Sequence, residues 1–301
     1  MSEHSERPER LYEVVDQPEL VDPVLVVCLD GWIDAGLGAA GALAQVLETV
    51  GTELVARFDT EELVDHRSRR PVMHLVEGVN TGLTWPSIEL RHGQDSGGRD
   101  LLVLVGAEPD LRWRGFARDV VDLVKDLGAG LVLGIGAYPA PVPHTRPARL
   151  AVTATSSEWA DRLAEVRATL DVPAGAEAAI ERRCAEVGVP AVGLWAQVPH
   201  YVMTMAYPAA SALLLDNVNR IASLDLDTGP LHEAAANLRT RLDALVADNE
   251  EHVEMVRLLE ESVDAAAAAG TGPGPAIPSG DQLAAEFQRF LRRVDRGETE
   301  P

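Results

Sequence analysis

The sequence predicts an α/β fold whose largely parallel sheet is covered by helices on both faces. Apolar runs rich in β-branched residues recur at 24–29, 53–58, 101–105, 130–136, 150–155 and 191–196, with the length and composition of buried strands. Helical patterns over 35–50, 113–127, 157–170, 176–187 and 207–221 alternate with many of them, which implies right-handed crossovers between parallel strands. Aromatic residues are only 4% of the chain against 46% hydrophobic residues overall. The core is therefore built from Val, Leu, Ile and Ala, the side chains a doubly covered sheet prefers.

In chain order, residues 1–10 are charged and lack an apolar signal core; they are expected to be disordered, and the chain to be cytoplasmic. A single α/β domain is expected over 11–224. Its first strand, Val24-Leu25-Val26-Val27-Cys28-Leu29, hides a free thiol at Cys28. Then comes Asp30-Gly31-Trp32-Ile33-Asp34-Ala35-Gly36. Asp34 is placed either to cap the next helix or to mark an anion or partner site at its N-terminus. This is not a phosphate loop, because neither the Walker spacing with its Lys nor G-x-G-x-x-G is present.

Residues 60–100 break the rhythm with Arg69-Arg70-Pro71, Trp85-Pro86 and a Gly-rich turn at 93–98. They read as a short hairpin or irregular excursion with an antiparallel course. The excursion supplies Asp65, His66, Arg67, Arg69 and Arg70, arginines that either pair with carboxylates or hold an anion. Strand 101–105 leads into a dense polar loop containing Glu108, Asp110, Arg112 and Trp113; solvated charges at a helix start are the plain alternative to a site. Strand 130–136 leads into Tyr138-Pro139-Ala140-Pro141-Val142-Pro143-His144-Thr145-Arg146-Pro147, whose four prolines hold His144 and Arg146 in a restricted geometry. Strand 191–196 leads into Gln197-Val198-Pro199-His200-Tyr201.

Ligands of doubly wound sheets collect beyond the carboxyl ends of strands. Asp34, Arg67, Arg70, Glu108, Trp113, His144, Arg146 and His200 are therefore expected on one rim, as a ligand site or a subunit interface. No G-x-S-x-G elbow is present and no H-x-x-x-H pair occurs, so no catalytic residue, metal or cofactor is assigned.

Beyond residue 224 the pattern changes. Positions 231, 238, 245, 252 and 259 and positions 235, 242, 249, 256 and 263 form a heptad seam interrupted only by Asn249 and His252, predicting one long helical arm over 225–269. The arm either lies against its own domain or protrudes toward another subunit. A Gly/Pro-rich linker is expected at 270–280, and a short C-terminal helix and tail at 281–301, opened by a Ser279/Gln282 capping box.

Acids outnumber bases 48 to 26, a net charge of -22. A nucleic-acid backbone or an anionic membrane would be repelled, which excludes both as partners. The charge serves solubility or a basic protein partner.

Five co-linear segments together resemble the PAC2 family: Gly31-Trp32-Ile33-Asp34-Ala35-Gly36; Phe58-Asp59-Thr60-Glu61-Glu62-Leu63-Val64-Asp65-His66-Arg67 with Arg70-Pro71; Glu108-Pro109-Asp110 with Trp113; Pro143-His144-Thr145-Arg146-Pro147; and Val198-Pro199-His200-Tyr201. The resemblance spans roughly residues 11–223 and follows the bacterial branch. It implies a three-layer α/β/α sandwich with a mostly parallel mixed sheet, similar to the phosphorylase/hydrolase-like fold. It also implies self-association as a homotrimer and a proteasome-assembly-chaperone-like role with 20S proteasome subunits as partners. Docking relatives can end in a hydrophobic-Tyr-any tripeptide, whereas this chain ends Glu298-Thr299-Glu300-Pro301, so docking by such a tail is not expected. The arm after residue 224 lies outside the common core. The alternative reading is an enzyme of hydrolase or phosphorylase type acting on a small anionic substrate, with His144 or His200 as acid/base and Arg146 or Arg67 as anion clamp.

Overall fold

The computed structural model describes residues 10–31, 33–163, 169 and 171–268. The expected disordered start, the linker at 270–280 and the C-terminal helix at 281–301 lie outside the described residues, apart from Arg10.

Strands β1 (Tyr12–Val14), β2 (Val24–Asp30), β3 (Glu53–Phe58), β6 (Ile88–Gln94), β7 (Asp100–Ala107), β8 (Leu131–Ala140), β9 (Leu150–Ala154) and β10 (Ala191–Pro199) form one sheet in the order β1-β3-β6-β7-β2-β8-β10-β9. The three central pairings, β7 with β2, β2 with β8 and β8 with β10, are parallel; the flanking ones are antiparallel. The sheet is thus mixed, and the parallel strands are the ones joined by crossover helices.

Alternation along each strand sends side chains to two cores. Val24, Val26 and Cys28 of β2 join Leu133, Ile135, Leu194 and Ala196 on one face. That face is covered by α1 (Gly38–Val50), through Ala39, Ala42 and Val46, and by α6 (Pro208–Ala222), through Leu214, Leu215 and Val218. Leu25 and Val27 join Leu102, Leu104, Phe58 and Leu90 on the other face. There they meet α3 (Trp113–Asp126) and α5 (Ala176–Val187), through Phe116, Val120, Ile180 and Cys184. Each buried Val, Leu or Phe contributes about 1.5–3 kcal/mol of transfer free energy. Three layers result, and Cys28 and Cys184 are free and buried.

The excursion resolves into three pieces. Asp59 accepts a 2.9 Å bond from the amide of Glu61 and so caps the single turn α2 (Thr60–Leu63). Then β4 (Val72–Val76) and β5 (Val79–Thr84) pair into a separate two-stranded hairpin. Finally β6 returns antiparallel into the main sheet. A short helix α4 (Ser157–Leu163) follows β9.

The heptad seam predicts one helix, and the structure corrects this to two: α7 (Gly229–Ala247) and α8 (Glu250–Ala268). The break lies at the polar interruption. The Asn249 side-chain oxygen accepts bonds from the amides of Glu251 and His252, at 2.9 and 3.3 Å, and so starts a new helix instead of continuing the old one. Leu238 and Leu242 of α7 are buried in the α1/α6 core, while Val263 of α8 packs on Ala140 and Val142. The arm therefore lies against its own domain.

Candidate functional site

The parallel strands β7, β2, β8 and β10 all end on one rim, with β3 ending beside them, so turns distant in sequence converge there. After β2, both carboxylate oxygens of Asp34 are consumed as helix caps, Oδ1 accepting from Ala39 at 2.8 Å and Oδ2 from Ala40 at 2.9 Å. Burial raises the Asp34 pKa, against the lowering effect of these backbone bonds. Of the two readings of Asp34, the structure thus shows the cap. The same turn is tied to the β10 loop, because the amide of Gly36 donates to Met203 O at 2.8 Å and the amide of Tyr207 to Gly36 O at 2.7 Å.

After β7, Glu108 reaches sideways. Its Oε1 accepts a 2.6 Å bond from the amide of Ala176, capping α5 from another loop. Trp113 donates its indole N–H to Pro109 O and packs against the core under α3 and α5. The excursion is stitched to this loop: Asp65 N donates to Asp110 Oδ2 at 2.9 Å, and Arg69 lies 3.8 Å from Asp110 and 4.0 Å from Asp30. Arg67 and Arg70 are exposed beside it. Among the described residues neither guanidinium has a recorded carboxylate partner.

After β8, the proline-rich loop is held by residues from elsewhere. His144 is only 4% exposed. Its amide donates to the Tyr201 hydroxyl at 2.7 Å, and its Nδ1 lies 2.7 Å from the same oxygen. The hydroxyl, already accepting from the amide, then donates its hydrogen to Nδ1, which leaves Nε2–H to donate to Asp243 on α7 at 3.1 Å. Burial pushes the Tyr201 hydroxyl up to about 12, so it stays a neutral donor. Arg146 forms a fork on Asp264, Nε to Oδ1 at 2.9 Å and Nη2 to Oδ2 at 2.7 Å, with Nη1 on Glu260 at 3.0 Å. Arg239 of α7 donates to Thr145 O at 3.1 Å. The loop is wedged between α7 and α8.

The structure brings His144 and His200 to the same Tyr201 ring, at 5.8 and 5.4 Å between centroids. They differ in setting: His144 is enclosed and His200 is exposed. Carboxylates of the same chain occupy both groups, which does not favour the acid/base role weighed for His144 or the clamp role weighed for Arg146. The cleft behind the loop, lined by Pro143, Arg146, Arg149, Gln197, Tyr207 and Val263, has a volume of about 10 Å³, room for roughly one water.

Sequence reasoning missed Asp243, Glu260 and Asp264, because the heptad pattern weighs only apolar positions; the spacing of Glu260 and Asp264, one helical turn apart, is the signal that was there. It also missed Glu177, in the first turn of α5. The Glu177 carboxyl lies over Gly134, where a Cβ would come within 1.8 Å of Oε1, and that oxygen is buried without a hydrogen-bond partner. Burial, followed by the charges of Glu181 and Glu108, pushes the Glu177 pKa up to about 8.

The PAC2 family model matches residues 28–246. The chain belongs to the PAC2 family. Solved structures of similar fold include a Corynebacterium glutamicum protein of unknown function, 31% identical, covering 86% of this chain and 98% of its own, with a TM-score of 0.80. The Mycobacterium tuberculosis protein Rv2714, also of unknown function, is 36% identical over 86% of this chain and 92% of its own, with a TM-score of 0.79. The Mycobacterium tuberculosis proteasome-assembly chaperone homologue Rv2125 is 30% identical over 77% of this chain and 99% of its own, with a TM-score of 0.72. No curated protein matches the sequence. The PAC2 match carries the sheet from the end of β2 onward, with its rim, and runs into α7, whereas β1 lies before it and α8 beyond it. Among the described residues no helix is long and apolar enough to cross a membrane.

Proposed function

We propose that this PAC2 protein is a cytoplasmic proteasome-assembly-chaperone-like scaffold, a homotrimer that acts by protein association on 20S proteasome subunits. The observation that carries the reading is the state of the rim: Asp34, Glu108, His144 and Arg146 are all engaged within the chain, and the cleft beside them holds about 10 Å³. Four rim groups engaged within the chain beside so small a cleft suit recognition of another protein surface, whereas small-molecule sites are concave and several hundred Å³ in volume. The likeness to Rv2125, a proteasome-assembly chaperone homologue, supports the choice of partner. The excess of acids supports a basic partner surface.

Affinity purification of the tagged chain from its native host tests this. Proteasome subunits recovered in stoichiometric amounts are the expected result. Repeated recovery of the chain without them removes the proteasome reading.

A further inference from the structure

The hairpin β4–β5 stands apart from the rest of the molecule. It forms its own two-stranded sheet, and every residue of both strands is exposed except Gly82, which is half-buried. Its side chains are nevertheless apolar: Val72, Met73, Leu75, Val76, Val79 and Leu83 are 44–63% exposed, and Trp85 at its base 48%. Only Glu77 is charged between 72 and 84, in a chain that carries -22 overall. Two-stranded hairpins are marginal in water on their own, and an apolar exposed patch of this kind marks an association surface. A structure whose order depends on being covered needs a cover whenever the chain is folded. The partner always present at the chain's own concentration is another copy.

The rest of the same rim offers the matching surface. The bonds between Gly36, Met203 and Tyr207 gather Leu37, Met203 and Met205 into a second apolar patch, 39–54% exposed. Leu37 holds a left-handed backbone, φ 50°, a costly conformation for a bulky residue. Beside this patch lies the arm α7–α8, joined to it through Tyr201, His144 and Asp243. Residues 229–268 contain nine acids against three arginines. At the hairpin end, by contrast, Arg67 and Arg70 are exposed. Apolar surface faces apolar surface and arginine faces carboxylate only when the hairpin end of one copy meets the β10 end of the next. Hairpin against hairpin would instead bring the arginines of two copies together.

We propose that the hairpin 72–84 is an assembly arm that docks on the Leu37–Met203–Met205 patch of a second copy of this chain. The contact is head-to-tail, which builds a ring where the rotation between copies closes and an open filament where it does not. This rests on the self-association part of the proposed function and names its contact.

The test is the solution mass of three proteins by light scattering and native mass spectrometry: the wild-type chain, an arm variant (Met73→Glu with Leu75→Glu) and a patch variant (Met203→Glu with Met205→Glu). All four positions are exposed, so circular dichroism should be unchanged. The wild-type chain is expected as an oligomer and each variant as a monomer. An equimolar mixture of the two variants is expected to give a complex of two chains, because one intact arm and one intact patch remain. A patch variant that keeps the wild-type mass, or a mixture that stays monomeric, overturns the arm-to-patch contact while leaving self-association standing. A monomeric wild-type chain overturns self-association itself, and the arm with it.

Discussion

The Arg146 guanidinium and the Asp264 carboxylate meet in a two-pronged fork, Nε to Oδ1 at 2.9 Å and Nη2 to Oδ2 at 2.7 Å, joining the loop after β8 to α8 across 118 positions of sequence. Fork geometry is specific to arginine, because a lysine ammonium acts as a point charge. Arg146→Ala is expected to raise amide hydrogen exchange across 250–268, and Arg146→Lys to give much of the same effect. Arg146 holds the Asp264 carboxyl below the usual carboxylate range. Its contribution is therefore present above the unfolded value and is lost as pH falls through the folded one. Protection factors in α8, which divide out the intrinsic pH dependence of exchange, should fall in wild type toward acid pH, below about 4, and should be less pH-dependent in Arg146→Ala.

Glu177 runs the opposite way. Its folded pKa stands at about 8 against an ordinary 4.5, so between those values the native state keeps a proton that the unfolded state releases. Stability therefore falls as pH rises through that window, by on the order of a few kcal/mol at its top. Glu177→Gln, which mimics the protonated form, should melt like wild type near pH 4.5 and progressively higher than wild type up to pH 8. A melting difference that does not change with pH would contradict the assignment of burial as the cause.

The arm is part of the domain through α7, and two seam leucines three positions apart separate that account from a coiled-coil seam. Leu242 is 6% exposed and packs into the α1/α6 core, whereas Leu245 is 62% exposed. Leu242→Ala should cost about 2–4 kcal/mol in urea unfolding. Leu245→Ala should stay within about 0.5 kcal/mol of wild type. Equal losses would mean that the heptad pattern, not the domain core, is what α7 serves.

Much of the layer structure is legible in the sequence for a physical reason. Runs such as Val24 to Leu29 and Ala191 to Ala196 are apolar on both faces, which only a doubly covered strand requires, and α5 carries its apolar residues on one side from Ala176 to Val187. Convergence of turns on one rim follows from the parallel order of β7, β2, β8 and β10. What the turns do to one another does not follow. Which carboxylate takes His144 or Arg146 is decided by contacts across about a hundred positions, and no local pattern encodes them. The heptad reading of 225–269 failed at one residue: Asn249 reads as a tolerated polar seam position, but its side chain bonds the backbone ahead of it and ends the helix. The break in rhythm over 60–100 is legible as a short hairpin or irregular excursion, but the position of the hairpin at 72–84 and its isolation are not, since apolar composition alone predicts burial.

In vitro assembly of the 20S proteasome from purified α- and β-subunits of the same host tests the central claim most directly. With the chain present at one copy per subunit, the yield or rate of complete particles should rise severalfold over subunits alone, and the gain should disappear when the chain is omitted. An assembly time course indistinguishable with and without the chain would contradict the scaffold role.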